Sequence, residues 1–240
     1  MMRALNSRLA RLRDQRGFTL IEMLVASSIG VIVLLVLLNL LDASQTATGR
    51  VVARVDGTQR GRTAMEQVTQ RLRSQTCVGS ITPIIIGDAT SPTDANSVTF
   101  YADLGSPADF VPEKRRIYVS GTDLRERVIP GTGNPPNTTF TATPKDRIIM
   151  QGIKPVTQGA TTLPYFRYYA FDNGTPPQPT VQLTPPLAAA DSKRIVQVTV
   201  AFRPSSGRED RVDTNFVNSV YSRAGNPGAA LLADRGPQCS

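Results

Sequence analysis

The longest hydrophobic pattern in the chain is a nearly continuous apolar run over residues 18–41. One ionisable side chain, Glu22, lies near the start of this run, and the only other strongly polar residue is Asn39 near its end. A helix rises about 1.5 Å per residue, so the run reaches roughly 36 Å, whereas the hydrocarbon core of a bilayer is about 30 Å thick. The pattern therefore predicts a membrane-spanning helix that carries a carboxylate in its first turn.

The helical pattern continues to about Thr76 as an amphipathic helix over residues 42–76. Its apolar residues are predicted to form one stripe, and its arginines are predicted to lie outside that stripe. The stripe contains Val51, Val55, Met65, Val68 and Leu72, and the arginines able to stay outside it include Arg50, Arg54, Arg60, Arg71 and Arg73. Gly49, Gly57 and Gly61 each weaken a helix interior by about 1 kcal/mol relative to Ala. These glycines indicate either a pliable segment or a closely packed face.

Beyond Cys77 the pattern changes to short β-like runs separated by turns rich in Pro, Gly and Thr. The predicted strands are residues 97–102, 115–120, 124–129, 146–152, 163–171, 181–183 and 194–203, with a last run near 211–223. Gly121-Thr122-Asp123 predicts a short hairpin, and Asp172-Asn173-Gly174 predicts a second turn.

The stretch "RIVQVTVAF" shows the clearest alternation of two faces. Val196, Val198, Val200 and Phe202 form the set that we expect to face the core. A long helix followed by a mainly antiparallel sheet is an α+β arrangement. The predicted organisation is a leader over residues 1–17, the membrane helix over 18–41, its amphipathic continuation over 42–76, and an exported β-rich head over 77–240.

The positive charge is concentrated before and along the helix. Residues 1–17 carry a net +4 and residues 42–76 carry +3 of the formal total of +8. Since Glu22 subtracts one charge, about +2 remains for residues 77–240. Arginines before an apolar run keep the N-terminus cytoplasmic and direct the head outward. The basic composition thus indicates membrane topology more than a nucleic-acid surface.

Glu22 needs a partner, because an ionised carboxylate inside a membrane helix costs about 2.5–3.5 kcal/mol. No Lys or Arg lies within helical reach on its C-terminal side. Cleavage of the bond between Gly17 and Phe18 would create an α-amine on Phe18, one helical turn away. That amine and Glu22 are able to pair within one chain or between staggered neighbours. In an array of parallel helices, such a pair would also set the register.

The string "RGFTLIEMLVA" resembles the prepilin signature of type IV pilins and type II secretion pseudopilins. The resemblance implies cleavage after Gly17 by a prepilin peptidase, N-methylation of Phe18, and pairing of Glu22 with a neighbouring subunit. An ordinary signal anchor is the alternative, and it leaves the joint occurrence of Gly17, Phe18 and Glu22 unexplained.

Later patterns extend the resemblance to PilW-type minor pilins and the J-type pseudopilin of type II secretion. They are "RRIYVSGTDLRER", "YFRYYAFDNG" and "RIVQVTV" before a final strand. The ending "SVYSRA" departs from the Leu-Arg-Asn ending of those proteins.

The two cysteines, Cys77 and Cys239, both fall in the exported part, where disulfides persist. A bridge between them would tie the end of the helix to the C-terminal region, and the alternative is two free thiols. The sequence contains no His, which excludes Ser-His triads, Cys-His dyads and His-bound zinc. No Gly precedes a Lys, so no phosphate-binding Gly-Lys motif is present. We expect no enzyme activity, no cofactor and no metal.

The remaining polar and aromatic groups have structural interpretations. The acids Asp88, Asp94, Asp103, Asp109 and Asp172 all sit in turn-like contexts. A calcium site among them is the alternative. One set of the aromatic residues over 165–171 is expected to face the core, and the alternative is a carbohydrate or DNA platform.

The pattern as a whole favours a minor pilin or pseudopilin. Its expected partners are other pilins through the helix, a prepilin peptidase, and membrane lipid before assembly. It would cross the cell membrane once and then enter a surface pilus or a pseudopilus. DNA contact is permitted by the helix arginines but is not supported by the head charge. The alternative is an exported binding module or enzyme that uses the helix only as a tether.

Overall fold

The protein is described from a computed structural model that covers residues 18–104, 111–135, 137–205, 214–222, 225–226, 236–237 and 239. A single helix, α1 (Leu20–Arg73), runs through 54 residues. The chain divides into two compact units, Met1–Val52 and Ala53–Ser240, with the boundary inside α1. The long helix that the apolar run and its amphipathic continuation predict is therefore present.

The buried part of α1 begins at Gly61. The buried residues of the helix are Gly61, Ala64, Met65, Val68, Thr69 and Leu72. Val51 and Val55, which belong to the predicted apolar stripe, are exposed, at 63% and 54%. The reason is that side chains at helical spacing share a face whether or not anything packs on that part of it.

Gly61 belongs to a closely packed face, one of the two interpretations that the helix glycines allowed. A Cβ atom built on Gly61 would lie 2.4 Å from Cε2 of Phe216 and 2.8 Å from Cγ of Pro204. Gly57 is less crowded, because its nearest neighbour would be Cβ of Pro204 at 3.9 Å. The absence of a side chain at Gly61 allows the helix to approach the end of two strands.

Two antiparallel sheets form the head. The first contains β1 (Ser97–Ala102), β2 (Glu113–Ser120), β3 (Asp123–Pro130) and β4 (Lys145–Met150), in the order β1-β2-β3-β4. The second has the order β11 (Phe216–Tyr221), β10 (Gln197–Pro204), β8 (Phe166–Ala170) and β9 (Val181–Leu183). Short β5 (Ile153–Lys154) pairs with β10, β6 (Thr157–Gln158) pairs with β7 (Thr161–Thr162), and Ala189–Lys193 form a 3-10 helix.

This arrangement confirms the α+β fold class. The hairpin at Gly121 is also confirmed, because Ser120 pairs with Asp123 across a two-residue turn. Gly121 has a φ of +61°, a conformation that favours glycine. The three shortest strands, β5 to β7, were not predicted.

The core lies between α1 and the two sheets. The predicted core face of the run over residues 194–203, most of which forms β10, is confirmed, since Val196, Val198, Val200 and Phe202 are all buried. The opposite face of that run is also largely buried, because Ile195, Thr199 and Ala201 are covered as well. Because this central strand is covered on both sides, its two faces differ less in burial than the alternating sequence pattern suggested.

Tyr168 joins the two sheets. It is fully buried on β8, and its hydroxyl lies 2.8 Å from the carbonyl oxygen of Ser97 and 3.0 Å from that of Asp94. Burial raises the pKa of this hydroxyl well above its usual value. Tyr168 therefore remains neutral and donates a hydrogen bond across the core. The expectation that one set of the 165–171 aromatic residues faces the core is confirmed.

A cluster of charges lies beneath the C-terminal end of α1. Glu126 on β3 is fully buried and accepts hydrogen bonds from Nη1 of Arg115 and Nε of Arg147, each at 2.5 Å. Nε of Arg71 lies 3.5 Å from Oε1 of Glu126, and Arg115 also pairs with Glu113. Burial lowers the pKa of Arg71, and Glu126 opposes that shift. Arg71 therefore does not lie wholly outside the packed face, contrary to the prediction from the helix pattern.

The disulfide joins Cys77 to Cys239, with their Cα atoms 5.6 Å apart. Nearby, Gly225 and Pro237 form a β-bridge. A Cβ atom on Gly236 would lie 1.6 Å from the carbonyl oxygen of Lys193, so glycine is required at this crossing. These contacts hold the described C-terminal residues against the head.

Replacing Gly61 with Ala should destabilise the head. The packed Phe216 ring and Pro204 must shift to admit a methyl group, and overpacking of this kind costs about 1–3 kcal/mol. The measurement is chemical denaturation of the full chain in nonionic detergent. Gly57→Ala is the matched control and should be neutral or stabilising by up to about 1 kcal/mol. Equal stability of the two variants would contradict the close approach.

Removing the disulfide should also lower stability. The bridge spans a sequence separation of 162 residues, and loss of such a cross-link typically costs about 2–5 kcal/mol. The Cys77→Ser/Cys239→Ser variant should denature at a lower denaturant concentration than the oxidised protein. Reduction of the native protein should produce a similar shift. An unchanged midpoint in both experiments would show that the bridge is dispensable.

Candidate functional site: the apolar N-terminal helix

The N-terminal part of α1 presents its apolar side chains outward on every side. All residues from Phe18 to Arg50 are exposed. Among the described residues, α1 is the one helix long and apolar enough to cross a membrane, judged by length and composition. A helix that is apolar all round needs an apolar environment, which in proteins is a core, a membrane or a bundle of similar helices.

Three polar side chains of residues 18–41 bond to carbonyl oxygens within the helix itself. Oγ of Ser27 donates to the carbonyl oxygen of Leu24 at 3.0 Å, and Oγ of Ser28 donates to that of Val25 at 2.9 Å. Nδ2 of Asn39 donates to the carbonyl oxygen of Leu35 at 2.9 Å. These internal bonds lower the cost of placing the polar side chains in lipid. The sequence analysis did not predict these bonds. Ser residues inside a predicted helix were a usable signal, because their side chains can bond to the backbone carbonyl one turn earlier.

Glu22 lies in the first turn of α1. Its backbone amide donates to the carbonyl oxygen of Thr19 at 3.1 Å and to Oγ1 of Thr19 at 3.3 Å. An acid here is favoured by the partial positive charge of the helix N-terminus. Among the described residues, the Glu22 carboxylate has no ion-pair partner.

Phe18 precedes the helix and is exposed. Glu22 comes four positions after Phe18, so the two positions are about one helical turn, or 6 Å, apart along a helix axis. Gly17, the other residue of the predicted cleavage bond, lies outside the described residues, as does the whole predicted leader. Of the two residues joined by the predicted cleavage bond, the structure therefore describes Phe18 only.

Three of the predicted loop acids, Asp88, Asp94 and Asp172, accept hydrogen bonds in turns. Asp94 accepts from the amide of Asn96, and Asp172 accepts from the amides of Gly174 and Gln178. Asp88 is paired with Lys114 and accepts from Thr90. Burial acts to raise the pKa of Asp88, but these hydrogen bonds outweigh it and lower the pKa to about 2. Asp109 lies outside the described residues.

No group of three or more His, Cys, Asp or Glu residues is placed to hold a metal in the described part of the chain.

Comparison with known families identifies the N-terminal segment. A family model described as the prokaryotic N-terminal methylation motif matches residues 12–38. This is the prepilin motif. The match includes Gly17, Phe18 and Glu22 and supports assignment to the type IV pilin and pseudopilin family. A search of curated proteins finds no match.

The prepilin motif ends within α1, so it concerns the membrane-capable helix and not the strands of the head. It supports a pilin-type function, with N-methylation, peptidase processing and association with other pilins as general features. The apolar helix and the motif together fit a membrane-anchored pilin.

Proposed function

We propose that this protein is a minor pilin or pseudopilin, a structural subunit of a type IV pilus or a type II secretion pseudopilus. The observation that carries the proposal is the exposed apolar helix with one carboxylate, placed a single turn from the residue that would become the mature N-terminus. A helix of this kind suits two environments in succession, lipid before assembly and a helix bundle after it.

The proposed sequence of events begins with insertion. The arginines of residues 1–17 keep the N-terminus cytoplasmic, and the head is exported. A prepilin peptidase then hydrolyses the bond between Gly17 and Phe18, and the new amine of Phe18 is methylated. Methylation leaves the amine positively charged, so its attraction to a carboxylate is retained.

Pairing between subunits follows from that charge. In a bundle of parallel apolar helices, the Phe18 amine of one subunit is neutralised by Glu22 of a neighbour. Any other stagger leaves both charges unmatched in apolar surroundings, which disfavours it. The head supplies the subunit's identity at the tip or within the filament, and we propose no catalytic activity for it.

The mature N-terminus tests the processing step directly. Mass spectrometry of the protein purified from the membrane should find a chain that starts at a methylated Phe18. Gly17→Leu should leave the leader attached, since glycine precedes the proposed bond. An intact Met1 in the wild-type protein would instead favour the tethered binding module or enzyme.

Replacement of Glu22 tests the pairing. With Glu22→Gln, the amine of a neighbour loses its partner in apolar surroundings, at a cost of about 2.5–3.5 kcal/mol. Since each 1.4 kcal/mol is a factor of about ten, we expect incorporation into filaments to fall by about two orders of magnitude or slightly more. Immunoblotting of sheared filaments against the membrane fraction measures this ratio.

Glu66→Gln is the matched control, because Glu66 is exposed on the same helix and loses the same charge. It should be incorporated normally. Normal incorporation of Glu22→Gln as well would remove the proposed pairing.

A further inference from the structure

The edge strand β4 differs from the other edge of its sheet. The outer side of β1 is covered by the preceding chain, because the amide of Tyr101 donates to the carbonyl of Pro83, and that of Ile85 donates to the carbonyl of Thr99. β4 pairs with β3 on one side, and residues 145–148 are exposed. Within the described residues, no strand pairs with the other side of β4. An unpaired strand edge of this kind is a template for pairing with another chain.

Arg147 on β4 is held in place from inside the protein. Its Nε donates to Oε2 of the fully buried Glu126, while its side chain remains 46% exposed. No described residue accepts a hydrogen bond from its two terminal nitrogens. A guanidinium anchored by one nitrogen and open at the other two is preorganised to bind a carboxylate.

Lys145 extends this positive surface. It lies two residues before Arg147, and the register pairs Lys145 with Val128 and Arg147 with Glu126. Residues two apart on a strand share a face, about 6.5–7 Å from each other. The buried charge cluster contains Arg71, Arg115 and Arg147 against Glu113 and Glu126. The cluster therefore has one excess positive charge, and Lys145 adds a second. Asp146, which lies between Lys145 and Arg147, does not cancel this excess because it is paired with Arg127.

An apolar groove continues from these cations along β4. Its volume is about 520 Å³, and its lining comprises Gln59, Arg60, Thr63 and Ala64 of α1 and Ile148, Ile149, Met150 and Gln151. Ile148 is 44% exposed at this edge. We call these eight residues, with Lys145 and Arg147, the β4 groove.

A second groove at α1 lacks the charge excess. It has a volume of about 720 Å³ beside Phe216 and Asn218, and its charged residues are Arg62, Arg73, Glu66 and Asp103. The two positive and two negative residues balance. Charge complementarity therefore singles out the β4 groove.

We propose that the β4 groove docks an extended acidic segment of a partner protein. The partner backbone pairs with the open side of β4, its carboxylates bind Arg147 and Lys145, and its alternate apolar side chains cover Ile148. This inference does not depend on the proposed pilin function, because it concerns residues outside the prepilin motif.

The test uses the full-length protein in nonionic detergent and two labelled peptides, one alternating Glu and Leu and one alternating Lys and Leu. Fluorescence anisotropy should show the Glu-Leu peptide binding about tenfold more tightly at low salt, with the advantage reduced at high salt. Lys145→Gln/Arg147→Gln should weaken Glu-Leu binding by about tenfold. Lys154→Gln/Lys193→Gln removes the same net charge elsewhere and should weaken it by less than about twofold.

The single variant Lys145→Gln controls for misfolding of the double variant. It should fold normally, because this exposed side chain has no partner among the described residues. It should weaken Glu-Leu binding by about threefold and leave the denaturation midpoint unchanged. Equal binding of both peptides would overturn the proposal. Equal weakening by the two double variants would overturn it as well. The charges on β4 would then serve only to prevent unwanted pairing of this edge strand with other chains.

Discussion

An apolar helical surface is unstable in water unless something covers it, and residues 20–41 present such a surface on every side. The backbone bonds of α1 and the internal bonds of Ser27, Ser28 and Asn39 make that surface compatible with lipid. Glu22 is the exception, because the described chain supplies no partner for its charge. The helix therefore needs an apolar environment, such as lipid or other helices, and a positive partner for this one carboxylate.

The head is attached to the other part of α1 by three different kinds of interaction. Ala64, Val68 and Leu72 are buried against the sheets, and Gly61 permits close approach to β10 and β11. The ion pair of Arg71 with Glu126 adds a polar contact, but buried ion pairs contribute little net stability once desolvation is counted. Apolar burial therefore stabilises this contact most, and the ion cluster specifies geometry. The disulfide adds a covalent tie just beyond the end of the helix.

Sequence patterns located the longer elements well. Residues 97–102 and 181–183 were predicted with the same bounds as β1 and β9, because turn residues flank both strands. Strands of two residues, such as β5, have no measurable periodicity and were missed. The helix pattern also placed the exposed Val51 and Val55 on one stripe with the buried Met65, since periodicity identifies a face but not the length over which a sheet covers it. The N-terminal motif was recognisable because its residues are contiguous.

The sequence by itself determined the membrane-capable helix, the prepilin motif and the α+β class, since these depend on local order, composition and spacing. Only the tertiary structure decided that Arg71, Arg115 and Arg147 meet one buried carboxylate, Glu126. Arg115 and Glu126 lie on β2 and β3 of one hairpin, but Arg71 on α1 and Arg147 on β4 come from more distant parts of the chain. Their meeting depends on strand register and on the packing of a helix across a sheet. Neither leaves a local pattern in the order of residues.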